Sequence, residues 1–112
     1  MILPTQSFEI SQLEANLCYA FADPTRIMIL HLLGEQPRNV TELTVALKCP
    51  QPTISRHLKI LRDHGLVQAA RKGVSVTYTL VDHRLIHALE ILRTVLRDTI
   101  RSKANLVIDM EP

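Results

Sequence analysis

The chain has three glycines and two cysteines in 112 residues, and no stretch rich in glycine, proline or serine reads as a linker. One compact domain over residues 1–112 is therefore expected, long enough to bury a core without staples and too short for a second domain. Apolar runs such as Ile27-Met28-Ile29-Leu30 are far shorter than the roughly 18 residues a membrane-spanning helix needs. The N-terminal MILPTQSFEI has no basic region ahead of an apolar stretch. A cytoplasmic protein without a membrane partner follows as the expectation, and two cysteines lacking CxxC spacing are expected to stay reduced there. Repeats and low-complexity tracts are missing, as are a phosphate loop, a nucleophile elbow, an acid pair and a complete metal-ligand set. That combination argues against an enzyme.

The net charge of +2 is unremarkable, but its distribution is uneven. Residues 48–72 hold Lys48, Arg56, Lys59, Arg62, Arg71 and Lys72 against Asp63 alone. A basic cluster of this kind is the electrostatic footprint of a surface that meets nucleic acid, or else an ordinary solvated face.

Periodicity separates these choices. Leu13, Leu17, Ala20 and Phe21 keep helical spacing between Ser7 and Phe21. Asp23-Pro24 marks a second start, because the aspartate accepts from free N–H groups while proline fits the first helical position. That helix is expected to run to Leu33 and stop at Gly34. In NVTELTVAL, Asn39 and Glu42 stand in a capping-box arrangement ahead of an apolar stripe of Val40, Leu43 and Leu47. After the turn KCPQP a helix is expected from Gln51 to His64, with Ile54, Leu58 and Leu61 inward, Pro52, Arg56, Lys59 and Asp63 outward, and Gly65 as its stop. LVQAA and VSVTYTL read as two strands joined by RKG. A last helix from about Asp82 to about Lys103 carries Leu85, Leu89, Leu92, Leu96 and Ile100, more apolar surface than a small core needs, which suggests a partner helix. The tail NLVIDMEP is apolar enough to pack, without an assigned place.

Two short helices joined by a tight turn, followed by a basic hairpin, make a winged helix-turn-helix: mainly α, with five helices and a two-stranded wing. The helix-turn-helix spans about 40–64 and the wing about 66–80. In this architecture the second helix enters the major groove with its N-terminal residues near base edges. Gln51, Thr53, Ser55, Arg56 and His57 stand at that end. Arg56 suits bidentate recognition of guanine, a contact that contributes roughly 1–3 kcal/mol of base discrimination. Lys48, Lys59, Arg62, Arg71 and Lys72 suit phosphates, which position without reading sequence. The competing reading is a winged-helix module that binds a protein and no DNA.

LCYAFADPTRIMILHLL, NVTELTVAL, QPTISRHLKILRDHGLV and RKGVSVTYTL, in order and without large gaps, resemble the ArsR/SmtB family of winged-helix repressors. The resemblance implies a homodimer through the first and fifth helices, about 7–21 and 82–103, with Leu13, Leu17, Leu85, Leu89, Leu92 and Leu96 as the interface. It also implies an inverted-repeat operator in double-stranded DNA, left when an inducer binds. A metal ion, arsenite, a thiol-reactive species or a nonmetal ligand are the inducer classes considered.

The family's metal sites are not retained. Its thiolate site falls on Thr44 and Ala46, and its zinc site on Asp82, Arg84, Val95 and Asp98, where both imidazoles are lost. His83, His87 and Glu90 share another face of the last helix and form a candidate cluster without a fourth ligand. Cys18 and Cys49 are the candidate sensor, against the alternative that each is a small packing residue. Cys49, beside basic residues, is the better nucleophile of the two. The resemblance also marks two departures at the turn: Pro50 replaces a capping serine and Lys48 a glycine, so this turn is expected to be strained or differently shaped.

Overall fold

The computed structural model describes residues 4–110, with side chains described over residues 7–105. The chain divides into two units at Asp82. The first holds α1 (Pro4–Ala20), α2 (Pro24–Glu35), β1 (Arg38–Asn39), α3 (Val40–Leu47), α4 (Gln51–Asp63), β2 (Val67–Lys72) and β3 (Ser75–Leu80), and the second is the single helix α5 (Arg84–Met110). The five helices and hairpin agree with the expected winged helix-turn-helix. Helix boundaries extend outward at both ends of the chain: α1 begins at Pro4 and α5 continues to Met110, through most of the segment left without a place.

Local chemistry explains the starts and stops. Asp23 Oδ1 accepts from the N–H groups of Thr25 (2.8 Å) and Arg26 (3.2 Å), with Pro24 in the first turn of α2. Asn39 and Glu42 complete the capping box of α3: Glu42 N–H donates to Asn39 Oδ1 at 2.8 Å and Asn39 N–H to Glu42 Oε1 at 3.0 Å. At the end of α4, Gly65 takes φ +75°, its N–H donates to Arg62 O (3.0 Å), and Leu66 N–H donates to Leu61 O (2.9 Å). That is a Schellman ending, which needs the left-handed conformation glycine adopts freely.

The core of the first unit is aliphatic. Ile29, Leu30 and Leu33 of α2, Leu43 of α3, Ile54, Leu58 and Leu61 of α4, and Leu66, Val67 and Leu80 flanking the hairpin are all buried. Each such side chain contributes roughly 1.5–3 kcal/mol on leaving water, enough to fix which face of α4 turns inward.

The sheet has three antiparallel strands in the order β1-β3-β2. The two-residue β1, not expected from the sequence, pairs Arg38 with Tyr78 and Asn39 with Thr77. It tethers the wing to the start of α3. The hairpin is tighter than the RKG loop expected: Lys72 pairs with Ser75, so Arg71 and Lys72 are strand residues and Gly73-Val74 is the turn. Gly73 has φ +63°, as the first position of a two-residue hairpin loop requires.

Candidate nucleic-acid interface

α4 sorts its residues by its buried stripe. Ile54, Leu58 and Leu61 face the core, while Gln51, Pro52, Ser55, Arg56, Lys59 and Arg62 are exposed and Thr53 is half-buried. Lys48 ahead of the helix and Arg71 and Lys72 on the wing are exposed as well. Lys59 Nζ donates to Asp63 Oδ2 at 2.8 Å. That hydrogen bond, which outweighs the opposing effect of desolvation, and the charges of Lys59, Arg62 and His64 hold the Asp63 carboxyl below its ordinary pKa.

His57 departs from the expected set of DNA-facing residues. It is 6% exposed, turned into the protein, and so is corrected from a base-edge candidate to an interior residue. The signal was present in the spacing: His57 lies three residues after Ile54, about 60° from it around the helix and on the margin of the apolar stripe.

Inside, His57 joins a network built on Arg26, itself 6% exposed. Arg26 Nε donates to Ala20 O (2.9 Å) and Nη2 to Tyr19 O (3.2 Å), both carbonyls of the last turn of α1. These are groups a helix end leaves without partners, and a cation there also suits the helix dipole. Arg26 Nη1 lies 3.3 Å from His57 Nδ1. A guanidinium has donors and no acceptor, so Nδ1 accepts and the imidazole proton sits on Nε2. His57 Nε2 lies 3.8 Å from Asp23 Oδ1. Burial pushes the His57 pKa down; the Asp23 carboxylate opposes this, and the guanidiniums of Arg26 and Arg56 add to it. Burial raises the Asp23 pKa, but backbone N–H bonds from Arg26 and Thr25, then the charges of His57 and Arg26, outweigh it and hold the carboxyl low. The Arg26 guanidinium also lies over the Tyr19 ring, 5.6 Å from its centroid. One arginine thus connects the end of α1, the start of α2 and the middle of α4.

The turn ahead of α4 carries the expected strain. Lys48 caps α3 with φ +51° and ψ +46°, a left-handed conformation on a side-chain-bearing residue, and its N–H donates to Thr44 O. Pro50 precedes α4 with no side-chain cap. Its carbonyl accepts from the N–H groups of Thr53 and Ile54, both at 3.1 Å. Cys49 is half-buried and lines a cleft of about 340 Å³ with Pro24, Thr25, Met28, Ala46, Leu47 and Lys48. Cys18 is exposed on α1, which removes the packing alternative for it within this chain.

Among the described residues no three His, Cys, Asp or Glu side chains form a group able to hold a metal ion. His87 and Glu90 are exposed on α5 and His83 is exposed in the turn just before it, without forming such a group, because two histidines and a carboxylate on an open surface do not close around an ion. Thr44, at a position of the family's thiolate site, donates through Oγ1 to Val40 O at 2.8 Å. Among the described residues of one chain, the donors do not fit a metal.

The leucines expected at a dimer interface divide. Leu13, Leu92 and Leu96 are 69%, 61% and 60% exposed, and Leu17 is also exposed. Leu85 is half-buried, and Leu89 is buried within the chain, so it leaves the set of residues open to a partner. No helix among the described residues is long and apolar enough to cross a membrane.

Residues 23–69 match the model of the bacterial regulatory protein arsR family. The chain is 47% identical over 79 residues to the HTH-type transcriptional repressor SmtB of Mycobacterium tuberculosis, a match covering 70% of this chain and 58% of that protein. It is 43% identical over 79 residues to the HTH-type transcriptional regulator MJ1325 of Methanocaldococcus jannaschii, covering 70% of this chain and 89% of that protein. The crystal structure of M. tuberculosis Rv0081 superposes with a TM-score of 0.77 at 30% identity, over 85% of this chain and 96% of that one. This chain belongs to the ArsR family of bacterial regulatory proteins.

Proposed function

We propose that the protein is a homodimeric, sequence-specific DNA-binding repressor that occupies an inverted-repeat operator in the cytoplasm and leaves it when an inducer acts. The observation that carries this reading is the pairing of an exposed α4 face, with Ser55, Arg56, Lys59 and Arg62, to a hairpin whose last strand residues are the exposed Arg71 and Lys72. α4 is 13 residues long, about 20 Å, which suits one crossing of a major groove. Arg56 is assigned to a base edge, and Lys48, Lys59, Arg62, Arg71 and Lys72 to phosphates. Gln51, Thr53 and Ser55 complete the base-proximal end.

The dimer reading is supported by exposed Phe8, Leu13 and Leu17 on α1 and by exposed Leu92, Val95, Leu96 and Ile100 on α5, which a second copy would cover. The inducer is assigned to thiol chemistry, either an oxidant or arsenite, through Cys49 or Cys18. Among the described residues the donor set does not fit a metal within one chain, whereas both thiols are free and at least partly accessible. Release of bound duplex by arsenite or peroxide in wild type, lost in Cys49→Ser or Cys18→Ser, assigns the sensing residue; release unchanged in both variants refutes the thiol assignment.

The DNA reading itself is tested by salt dependence. Affinity for duplex should fall with log salt at about −0.9 per phosphate neutralised, and replacing both Arg71 and Lys72 by alanine should flatten the slope by about two units per protomer. A wild type that retains no duplex at low salt would instead support a protein-binding module.

A further inference from the structure

We propose that His57 is a positioning residue for DNA reading: as a neutral imidazole it holds α4 to the α1–α2 junction through Arg26, and its protonation in acid releases that hold and weakens DNA binding. The inference rests on the reading of α4 as the DNA-contacting helix.

His57 is buried while its neighbours Ser55, Arg56 and Lys59 are exposed on the same helix. It therefore sets where those side chains stand without touching DNA itself. Its Nδ1 meets Arg26 Nη1 at 3.3 Å, a contact that exists only while Nδ1 carries no proton. Arg26 is not free to turn away from an arriving proton. Its Nε and Nη2 are fixed on Ala20 O and Tyr19 O, and its plane lies by the Tyr19 ring.

The charged groups around the imidazole are Arg26 and Asp23 from the start of α2 and Arg56 from α4. Asp23 favours the imidazolium, but at 3.8 Å it is beyond hydrogen-bond reach, and its Oδ1 already accepts two backbone N–H groups. Burial and the two guanidiniums favour the neutral ring. A proton forced onto Nδ1 breaks the Arg26 bond and sets two cations side by side in a buried place. α4 then loses its polar tie to the α1–α2 junction and is held by its apolar stripe alone, so Arg56 is held less firmly in place.

The predicted direction is the unusual one. Acidification adds positive charge to a protein surface in general, and added positive charge strengthens binding to phosphates. Weakening on acidification is therefore a signature of the buried histidine rather than of surface charge.

The experiment uses the full chain. A duplex is selected from a random-sequence pool at about pH 7.5, labelled with fluorescein, and titrated between about pH 5.5 and 8 at fixed ionic strength. Wild type is expected to lose affinity progressively toward the acid end, by less than tenfold at about pH 5.5 because the ring's pKa lies below 6.5. His57→Phe, with no acceptor for Arg26, is expected to bind weakly at every pH. His57→Asn places its Oδ1 where Nδ1 stood, accepts from Arg26 and does not titrate. It is expected to restore most of the affinity lost in His57→Phe and to abolish the acid fall. A His57→Asn profile that falls like wild type overturns the proposal, as does a wild type whose affinity is flat or rises in acid. Failure of wild type to select any duplex refutes the DNA reading, and the inference falls with it. If His57→Asn does not fold, the ring-nitrogen NMR signals of wild type decide: a bare Nδ1 at neutral pH that protonates as affinity falls supports the proposal, and a protonated Nδ1 at neutral pH overturns it.

Discussion

Arg26 ties α1, α2 and α4 together by polar bonds. Its three donor contacts reach residues 6, 7 and 31 positions away, and these separations explain why its role is not legible in sequence. Asp23, two and three residues away from its partners Thr25 and Arg26, is legible: an aspartate before proline at a helix start accepts the same N–H groups in most contexts. His57 stands between these cases, since its spacing from Ile54 predicts an inward turn but its polarity and basic neighbours point outward.

The burial of His57 has a consequence for stability as well as for binding. The folded state favours the neutral ring, so its pKa lies below the ordinary 6.5 of the unfolded chain. Between those two values the unfolded chain binds more protons, and stability falls as protons are added. Stability from this site should be complete above pH 6.5 and should decline as pH drops below it. Thermal melts across that range are expected to show a falling midpoint in wild type and a shallower fall in His57→Asn; parallel curves would contradict the account.

At the scale of elements, the turn between α3 and α4 and the end of α4 form a natural comparison. Lys48 sits at φ +51° and Gly65 at φ +75°, the same region of backbone space occupied once by lysine and once by glycine. Left-handed geometry costs a side-chain-bearing residue roughly 1–2 kcal/mol, part of which glycine returns through its greater freedom when unfolded. Lys48→Gly should therefore raise unfolding stability by up to about 1 kcal/mol in urea. Gly65→Ala should lower it by about 1 kcal/mol, and since an added Cβ there meets nothing within 4 Å, the cost is conformational alone. Opposite signs for the two variants are the outcome expected.

The helices, the capping box and the hairpin were readable because each depends on spacing within about ten residues. β1 was not: it is two residues long, and its pairing with β3 spans Arg38 to Tyr78. The hairpin loop, expected at RKG, starts two residues later and ends one residue later for a related reason. Composition does not separate RKG from GV, and cross-strand pairing of Lys72 with Ser75 decides between them.

At the scale of the whole molecule, charge and apolar surface are separated along the chain. The basic excess lies in residues 48–72, whereas the large exposed apolar side chains cluster on α1 and α5. Which leucines of the expected interface remain open depends on packing: Leu13, Leu92 and Leu96 are exposed, whereas Leu89 is buried within the chain. Placing a carboxylate on the exposed stripe, as in Leu96→Glu, should shift the protein from dimer to monomer in sedimentation by about 2–3 kcal/mol of association free energy. An unchanged dimer would move the interface elsewhere.

The central claim is that α4 reads bases through Arg56 while neighbouring cations hold phosphates. It is tested by measuring Arg56→Ala against the selected duplex and a scrambled duplex of the same length and composition at one salt concentration. The account predicts a loss of about 1–3 kcal/mol on the selected duplex and a much smaller loss on the scrambled one. Equal loss on both would contradict it, leaving Arg56 as one more phosphate contact.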